Sequence, residues 1–423
     1  MVTNGGDRQD FALESTDLDE SVFAVWEDFK EAFVDFRNQS MPFLSKKITN
    51  LLKSWLKTSL LMLLLVNLSL GLSAAAWWDS GSSQTPQKRE SSLPPGNAIT
   101  DPKALLRYAL PIDNQPIRKI QSSLESISDE LRAKRWKPIE GHISKVETIL
   151  KTQDDQILGD IPEAKQGEAQ NLIAQMQADL ISLRAAVVAE DKPSTQQARN
   201  QLLDLVGDIE SLMVKGFPFE VPSEYSHLPQ LKGRATVQME TEFGSLTMVV
   251  DGYSAPVTAG NFVDLVQRGF YNGLEFTRAE DSYVLQTGDP PGKEEGFIDP
   301  KTGKYRNIPL EILLRGYDKP IYGITLEDAG LYREKPVLPF SAYGALAMAR
   351  PEEEPDGGSS QFFFFLFEPE LTPAGLNLLD GRYSVFGFVT KGKEVLEKLK
   401  RGDKILSAKV IEGAENLQSP QSI

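Results

Sequence analysis

Residues 276–289 read Phe-Thr-Arg-Ala-Glu-Asp-Ser-Tyr-Val-Leu-Gln-Thr-Gly-Asp, and residues 358–365 read Gly-Ser-Ser-Gln-Phe-Phe-Phe-Phe. The first stretch sets Arg278 and Gln286 eight residues apart. On a strand, residues two apart share a face, so Val284 and Gln286 point together into whatever that face lines. The run Phe362-Phe363-Phe364-Phe365 reads, taken alone, as a buried strand.

Further stretches follow in order around these two: Ala255-Pro256-Val257-Thr258-Ala259-Gly260-Asn261-Phe262-Val263, Ile321-Tyr322-Gly323, Ala347-Met348-Ala349, Leu379-Asp380-Gly381 and Val385-Phe386-Gly387. Together they make residues 234–415 resemble the cyclophilins, the peptidyl-prolyl cis/trans isomerases. The resemblance implies a closed antiparallel β-barrel with flanking helices. It also implies an activity, isomerisation of X–Pro bonds.

A peptide bond resists rotation by about 18–20 kcal/mol because nitrogen shares its lone pair with the carbonyl. A guanidinium over the prolyl nitrogen can hydrogen-bond that lone pair as the bond twists, favouring the transition state over both planar ground states. Arg suits the task, being permanently charged and rigid. By the resemblance Arg278 is the catalytic residue and Gln286 holds its fork. Tyr283, Val284, Ala349, Arg350, Gln361, Phe363, Leu378, Leu379 and Tyr383 then surround the substrate, with Phe363 and Leu379 seating the proline ring.

The sequence departs from the family's usual choices at several of these positions. Thr277 stands where His is common, Tyr283 and Val284 where Phe and Met are, and Arg350 where Asn is. Leu378 and Tyr383 replace Trp and His, after an insertion near residues 368–376. A less aromatic pocket grips proline less well, each lost methylene being worth about 0.8 kcal/mol. The expectation is a recognisable site with weakened or altered catalysis.

With 423 residues the chain has room for two domains and a processing segment. A net charge of −15 argues against nucleic acid as a partner, since phosphate binding needs clustered Lys and Arg. Zero Cys excludes disulfides and thiol chemistry. His142 and His227 are the only histidines and lie outside 234–415, which leaves no Ser-His-Asp triad there and argues against zinc. No metal or cofactor is implied.

Residues 1–45 form an acidic leader, ten acids against three bases, with Phe23, Trp26, Phe29, Phe33 and Phe36 at helical spacing. In residues 46–76, Lys46, Lys47, Lys53 and Lys57 precede an apolar run from Leu60 to Leu72 and then Ala74-Ala75-Ala76. This pattern reads as a signal peptide for the general secretory route, cleaved after Ala76. An uncleaved membrane anchor is the alternative, and either way membrane contact is confined to this segment.

Residues 77–99, rich in Ser, Gly and Pro, read as a flexible linker. Apolar stripes then recur at three and four: Ile117, Ile120, Leu124, Ile127 and Leu131; Ile139, Ile143, Val146 and Leu150; Leu172, Met176, Leu180, Leu183 and Val187; Ala198, Leu202, Leu205, Ile209 and Leu212. The third helix opens near Pro162, and the fourth is introduced by Ser194 with Gln197 in capping-box spacing and closed by Gly216. These predict a four-helix bundle over 100–216 that carries no catalytic constellation. A Pro-rich connector (217–233) leads to the 234–415 domain, and a short tail (416–423) ends the chain. Strands are predicted at Ala235–Glu240 and Leu246–Val250, and a helix from Val257 to Arg268. The span from Pro290 to Pro320 exceeds the family's usual loop and lies beside the pocket, where it could gate the site or dock a partner.

An export signal, a helical bundle and a divergent cyclophilin together resemble the large thylakoid-lumen cyclophilins of plants and cyanobacteria. That resemblance implies a lumenal isomerase or foldase assisting photosystem II assembly and maintenance, with proline-containing segments of exported or lumen-facing proteins, photosystem II subunits among them, as partners. The leader is too acidic for a transit peptide, which favours a cyanobacterial form; a periplasmic location would use the same signal. The alternative class is a binder: a catalytically weak or inactive proline-binding chaperone or assembly scaffold.

Overall fold

The structure, a computed structural model, describes residues 99–300, 302–367 and 377–419. The acidic leader, the signal or anchor segment and nearly all of the 77–99 linker lie outside the described residues. No helix among the described residues is long and apolar enough to cross a membrane.

The helical region comprises α1 (Pro102–Ala109), α2 (Gln115–Arg132), α3 (Trp136–Thr152), the short α4 (Asp154–Gly159), α5 (Glu163–Val188) and α6 (Lys192–Met213). Its stripes meet in one core: Ile117, Ile120, Leu124 and Ile127 of α2 are wholly buried, as are Ile139, Ile143 and Val146 of α3 and Leu202 and Ile209 of α6. Leu172 and Leu212 sit at its margin, partly buried. Asn114 caps α2, its Oδ1 accepting from Ile117 N at 3.0 Å. Asp191, not Ser194, caps α6, its Oδ1 accepting from Ser194 N at 3.2 Å. Pro193 favours that start, because its missing N–H is one a helix leaves unpaired there anyway.

Two features of this region were not foreseen. Glu210 is fully buried on α6, 3.0 Å from Arg118 Nη1, with Gln121, Arg107 and Glu125 around them. Burial pushes its carboxyl up to about 7 against the pull of Arg118. The second is α1, whose Leu105, Leu106 and Ala109 pack not on the bundle stripe but with Val284, Phe340, Phe363, Phe365, Val385 and Phe388 of the C-terminal domain. Arg234 donates to the Leu106 carbonyl and Ser341 Oγ to that of Ile99, so the same segment is also stitched down by its backbone.

The C-terminal domain runs β1 (Gln230–Leu231), β2 (Arg234–Thr241), β3 (Gly244–Asp251), α7 (Pro256–Gln267), β4 (Arg278–Glu280), β5 (Val284–Thr287), β6 (Ile298–Asp299), β7 (Lys304–Tyr305), β8 (Glu311–Ile312), β9 (Ile321–Tyr322), β10 (Ala345–Met348), β11 (Phe362–Phe365), β12 (Val385–Lys391), α8 (Lys393–Leu396), β13 (Ile405–Glu412) and β14 (Leu417–Gln418). Eight strands form one antiparallel sheet in the order β13-β2-β3-β12-β10-β11-β5-β4. The expected closed barrel is corrected here: the sheet curls but its ladder stays open between β13 and β4. Physically, the stretch just before the three-residue β4 meets residues 402–405 through one isolated bridge, Glu275 to Lys404, and scattered backbone bonds such as Phe276 N to Asp403 O, and not through a continuous ladder.

Alternation explains the four phenylalanines. Phe362 and Phe364 join a core with Phe262, Leu285 and Phe386 under α7, whereas Phe363 and Phe365 face the cluster that α1 completes. The 290–320 span is tied into this core. Glu311 is fully buried and accepts from Val257 N and Thr258 N at 3.1 and 2.9 Å, satisfying two N–H groups that the start of α7 leaves unpaired. Arg306 Nη1 reaches Asp264 at 2.6 Å and Asn261 at 3.2 Å, with its guanidinium 4.5 Å from the Phe297 ring centroid.

Candidate active site

Register builds the site. Arg278 of β4 pairs with Gln286 of β5, Gln286 with Phe363 of β11, and Phe363 with Ala347 of β10. Directly opposed residues project from the same face of a sheet, so these four form one row across four strands. The adjacent row on that face is Glu280, Val284, Phe365 and Ala345. A distant pair in sequence, residues 278 and 363, is thereby brought to one surface by strand order alone.

Over these rows lies a cleft of about 420 Å³ lined by Arg278, Tyr283, Val284, Gln286, Ala349, Arg350, Gln361, Phe363, Leu379 and Tyr383. Leu378 alone of the sequence-derived site residues is absent from the lining and is 91% exposed. The preceding residues 368–376 are not described. Leu379 is directed inward because Asp380 anchors its turn, accepting from Phe340 N at 2.8 Å and Asn377 N at 3.3 Å, while Gly381 takes a φ of 84°. Burial raises the Asp380 carboxyl above its ordinary range, and those N–H groups oppose the rise.

The floor is aromatic. Phe363 stacks with Phe340 at 6.0 Å between centroids and meets Tyr383 edge-on at 5.4 Å. Val284 is buried beside it. Tyr283 stands at the rim after a turn in which its N–H bonds Glu280 O at 3.0 Å and Ser282 adopts a φ of 57°.

The polar groups are arranged differently from the sequence expectation. Gln286 does not hold the arginine fork; its Nε2 donates to Gln361 Oε1 at 2.7 Å. Gln361 in turn donates from Nε2 to the Glu295 carbonyl at 2.7 Å and to Asp289 at 3.3 Å. Burial, helped by the Glu295 charge, raises the Asp289 carboxyl above its usual range. Arg278 is held instead by Glu280, with Nε and Nη2 at 2.7 and 2.6 Å from the single oxygen Oε1. Arg350 fastens the rim: Nε and Nη2 donate to the Arg382 carbonyl, and Nη1 to those of Pro351 and Glu352, all within 3.0 Å.

Sequence reading missed Glu295, Tyr305, Pro351, Gly357 and Ser359, which also line the cleft. Glu295 and Tyr305 come from the 290–320 span, whose position against the core no local pattern announces. Gly288, with a φ of 93°, is needed nearby because a Cβ there would lie 2.3 Å from the Ser360 carbonyl oxygen.

Residues 101–214 match the family model described as peptidyl-prolyl cis-trans isomerase CYP38-like, PsbQ-like domain, and residues 236–416 match that of the cyclophilin-type peptidyl-prolyl cis-trans isomerases. A Synechocystis protein named as a thylakoid lumen peptidyl-prolyl cis-trans isomerase is 57% identical over 367 residues, covering 87% of this chain and 96% of that protein. Peptidyl-prolyl cis-trans isomerase CYP38, chloroplastic, of Arabidopsis thaliana is 46% identical over 341 residues, with 78% of each chain covered. CYP37, chloroplastic, of the same plant is 33% identical over 342 residues, covering 74% of this chain and 70% of that one. The open curled sheet, the row from Arg278 to Phe363 and these similarities lead to one assignment: the chain belongs to the cyclophilin-type peptidyl-prolyl cis/trans isomerases.

Proposed function

We propose that this protein isomerises X–Pro bonds in the thylakoid lumen, acting on lumen-facing segments of membrane proteins and assisting photosystem II assembly and maintenance. The observation that carries the reading is the row Arg278–Gln286–Phe363, which sets a cation beside an apolar seat in one cleft. The proline ring rests on Phe363 between Val284, Leu379 and Tyr383. Arg278 then meets the prolyl nitrogen as the bond twists, giving a hydrogen bond present only in the transition state. The name of the Synechocystis relative supports a thylakoid-lumen site of action, and the Arabidopsis relative is named as chloroplastic.

A second reading, a proline binder with little turnover, draws on the occupied polar groups: Gln361 and Arg350 already spend their donors within the protein. Both readings are tested in a Synechocystis strain lacking its 57%-identical relative. The chain should restore photosystem II oxygen evolution there, and Arg278→Ala should not. Equal rescue by Arg278→Ala would favour the binder; a strain with intact photosystem II would overturn the photosystem assignment.

A further inference from the structure

We propose that Glu280 is the positioning residue of Arg278, the part that the sequence reading gave to Gln286; this rests on the isomerase reading above. Arg278 and Glu280 are two apart on β4 and so share the cleft face. Glu280 stands opposite Val284, one row from Arg278 and Gln286. Its Oε1 accepts from both Nε and Nη2 of Arg278, at 2.7 and 2.6 Å. Nη1 is engaged by no described residue and remains for the substrate.

The arginine needs such a partner. β4 is an edge strand of three exposed residues, and the Arg278 side chain is half exposed. A free Arg there samples many rotamers, and catalysis by a charge depends on that charge being preorganised. Gln286 supplies no restraint, since its amide is turned to Gln361. Glu280 holds the guanidinium at two of its nitrogens through one oxygen, which restricts its rotation without removing its charge.

The pair is exposed, so its effect is modest and sensitive to salt. The test is catalysed cis/trans exchange of an Ala-Pro peptide, followed by NMR with the full chain, Glu280→Ala and Glu280→Gln. Glu280→Ala should lower kcat about threefold to fivefold, a loss of under about 1 kcal/mol, with KM within about twofold. Glu280→Gln, which keeps an oxygen acceptor, should recover to within about twofold of the parent. Salt raised towards about 1 M should slow the parent and leave Glu280→Ala unchanged.

The Arg278 Nε–H resonance gives a second readout that needs no turnover. It should be slow to exchange with water in the parent and fast in Glu280→Ala. An unchanged or faster kcat in Glu280→Ala overturns the positioning role. Should the parent itself catalyse nothing, the isomerase reading falls, and the Nε–H exchange alone decides whether Glu280 orders Arg278: equal exchange in parent and variant overturns the proposal.

Discussion

Gln286 Nε2 lies 2.7 Å from Gln361 Oε1, and the bond joins the two stretches of sequence from which the site was first read. Because Gln361 is also fastened to the Glu295 carbonyl, the 290–320 span is continuous with the cleft wall. It is an anchored part of the site, fastened within its length by Arg306 to Asp264 and by Glu311 to the start of α7.

That anchoring makes Arg306→Ala a stability variant with a functional echo. Removing one partner of a buried ion pair costs about 3–5 kcal/mol, and the loss should sit at the lower end because Arg268 also holds Asp264 at 2.8 Å. Urea unfolding measures it. Peptide affinity should weaken as well, since Tyr305 adjoins Arg306 and lines the cleft.

Leu378 and Leu379 are neighbours with opposite roles. Leu379→Ala should weaken binding of an X–Pro peptide about fivefold or more, by loss of apolar contact. Leu378→Ala should leave it within about twofold, its side chain being 91% exposed. A peptide titration by calorimetry separates the two, and the reverse order would relocate the pocket wall.

How far the sequence disclosed all this depended on range. Stripes such as Ile117 to Leu131 were legible because each repeats within one helix, and residues 234–251 and 256–267 because alternation and helix periodicity are local. The helix α1 was not: eight residues give too short a period, and Leu105 and Leu106 pack across domains. Glu280 stayed hidden because its meaning arises only when β4 turns residues 278 and 280 to one face. The open ladder was not legible because the contact between residues 273–276 and 402–405, far apart in sequence, is an isolated bridge with scattered bonds that no local pattern specifies.

The packing of α1 predicts that Leu105→Ala destabilises the C-terminal domain itself. Leu105 is 1% exposed, and such truncations cost about 2–5 kcal/mol. Hydrogen exchange should register the loss in β10 to β12. Loss confined to the bundle helices would show that α1 belongs energetically to the bundle alone.

Glu210 and Glu311 set a pH dependence. Burial raises each carboxyl from 4.5 to about 7, so the folded protein binds a proton that the unfolded chain releases in that interval. Their contribution to stability is complete below about 4.5 and is lost as pH rises through about 7. Thermal unfolding of Glu210→Gln against the parent across this range isolates one of them: the parent's Tm should fall more steeply with rising pH. A parent curve no steeper than the variant's would show Glu210 to be charged throughout, paired with Arg118.

Catalysed exchange of an Ala-Pro peptide, measured by NMR for the full chain and for Arg278→Ala at equal concentration, tests the central claim most directly. The parent should accelerate exchange and Arg278→Ala should lose at least tenfold, corresponding to about 1.4 kcal/mol of transition-state stabilisation, with an unchanged thermal unfolding curve. No acceleration by the folded parent, or equal acceleration by both proteins, would contradict it.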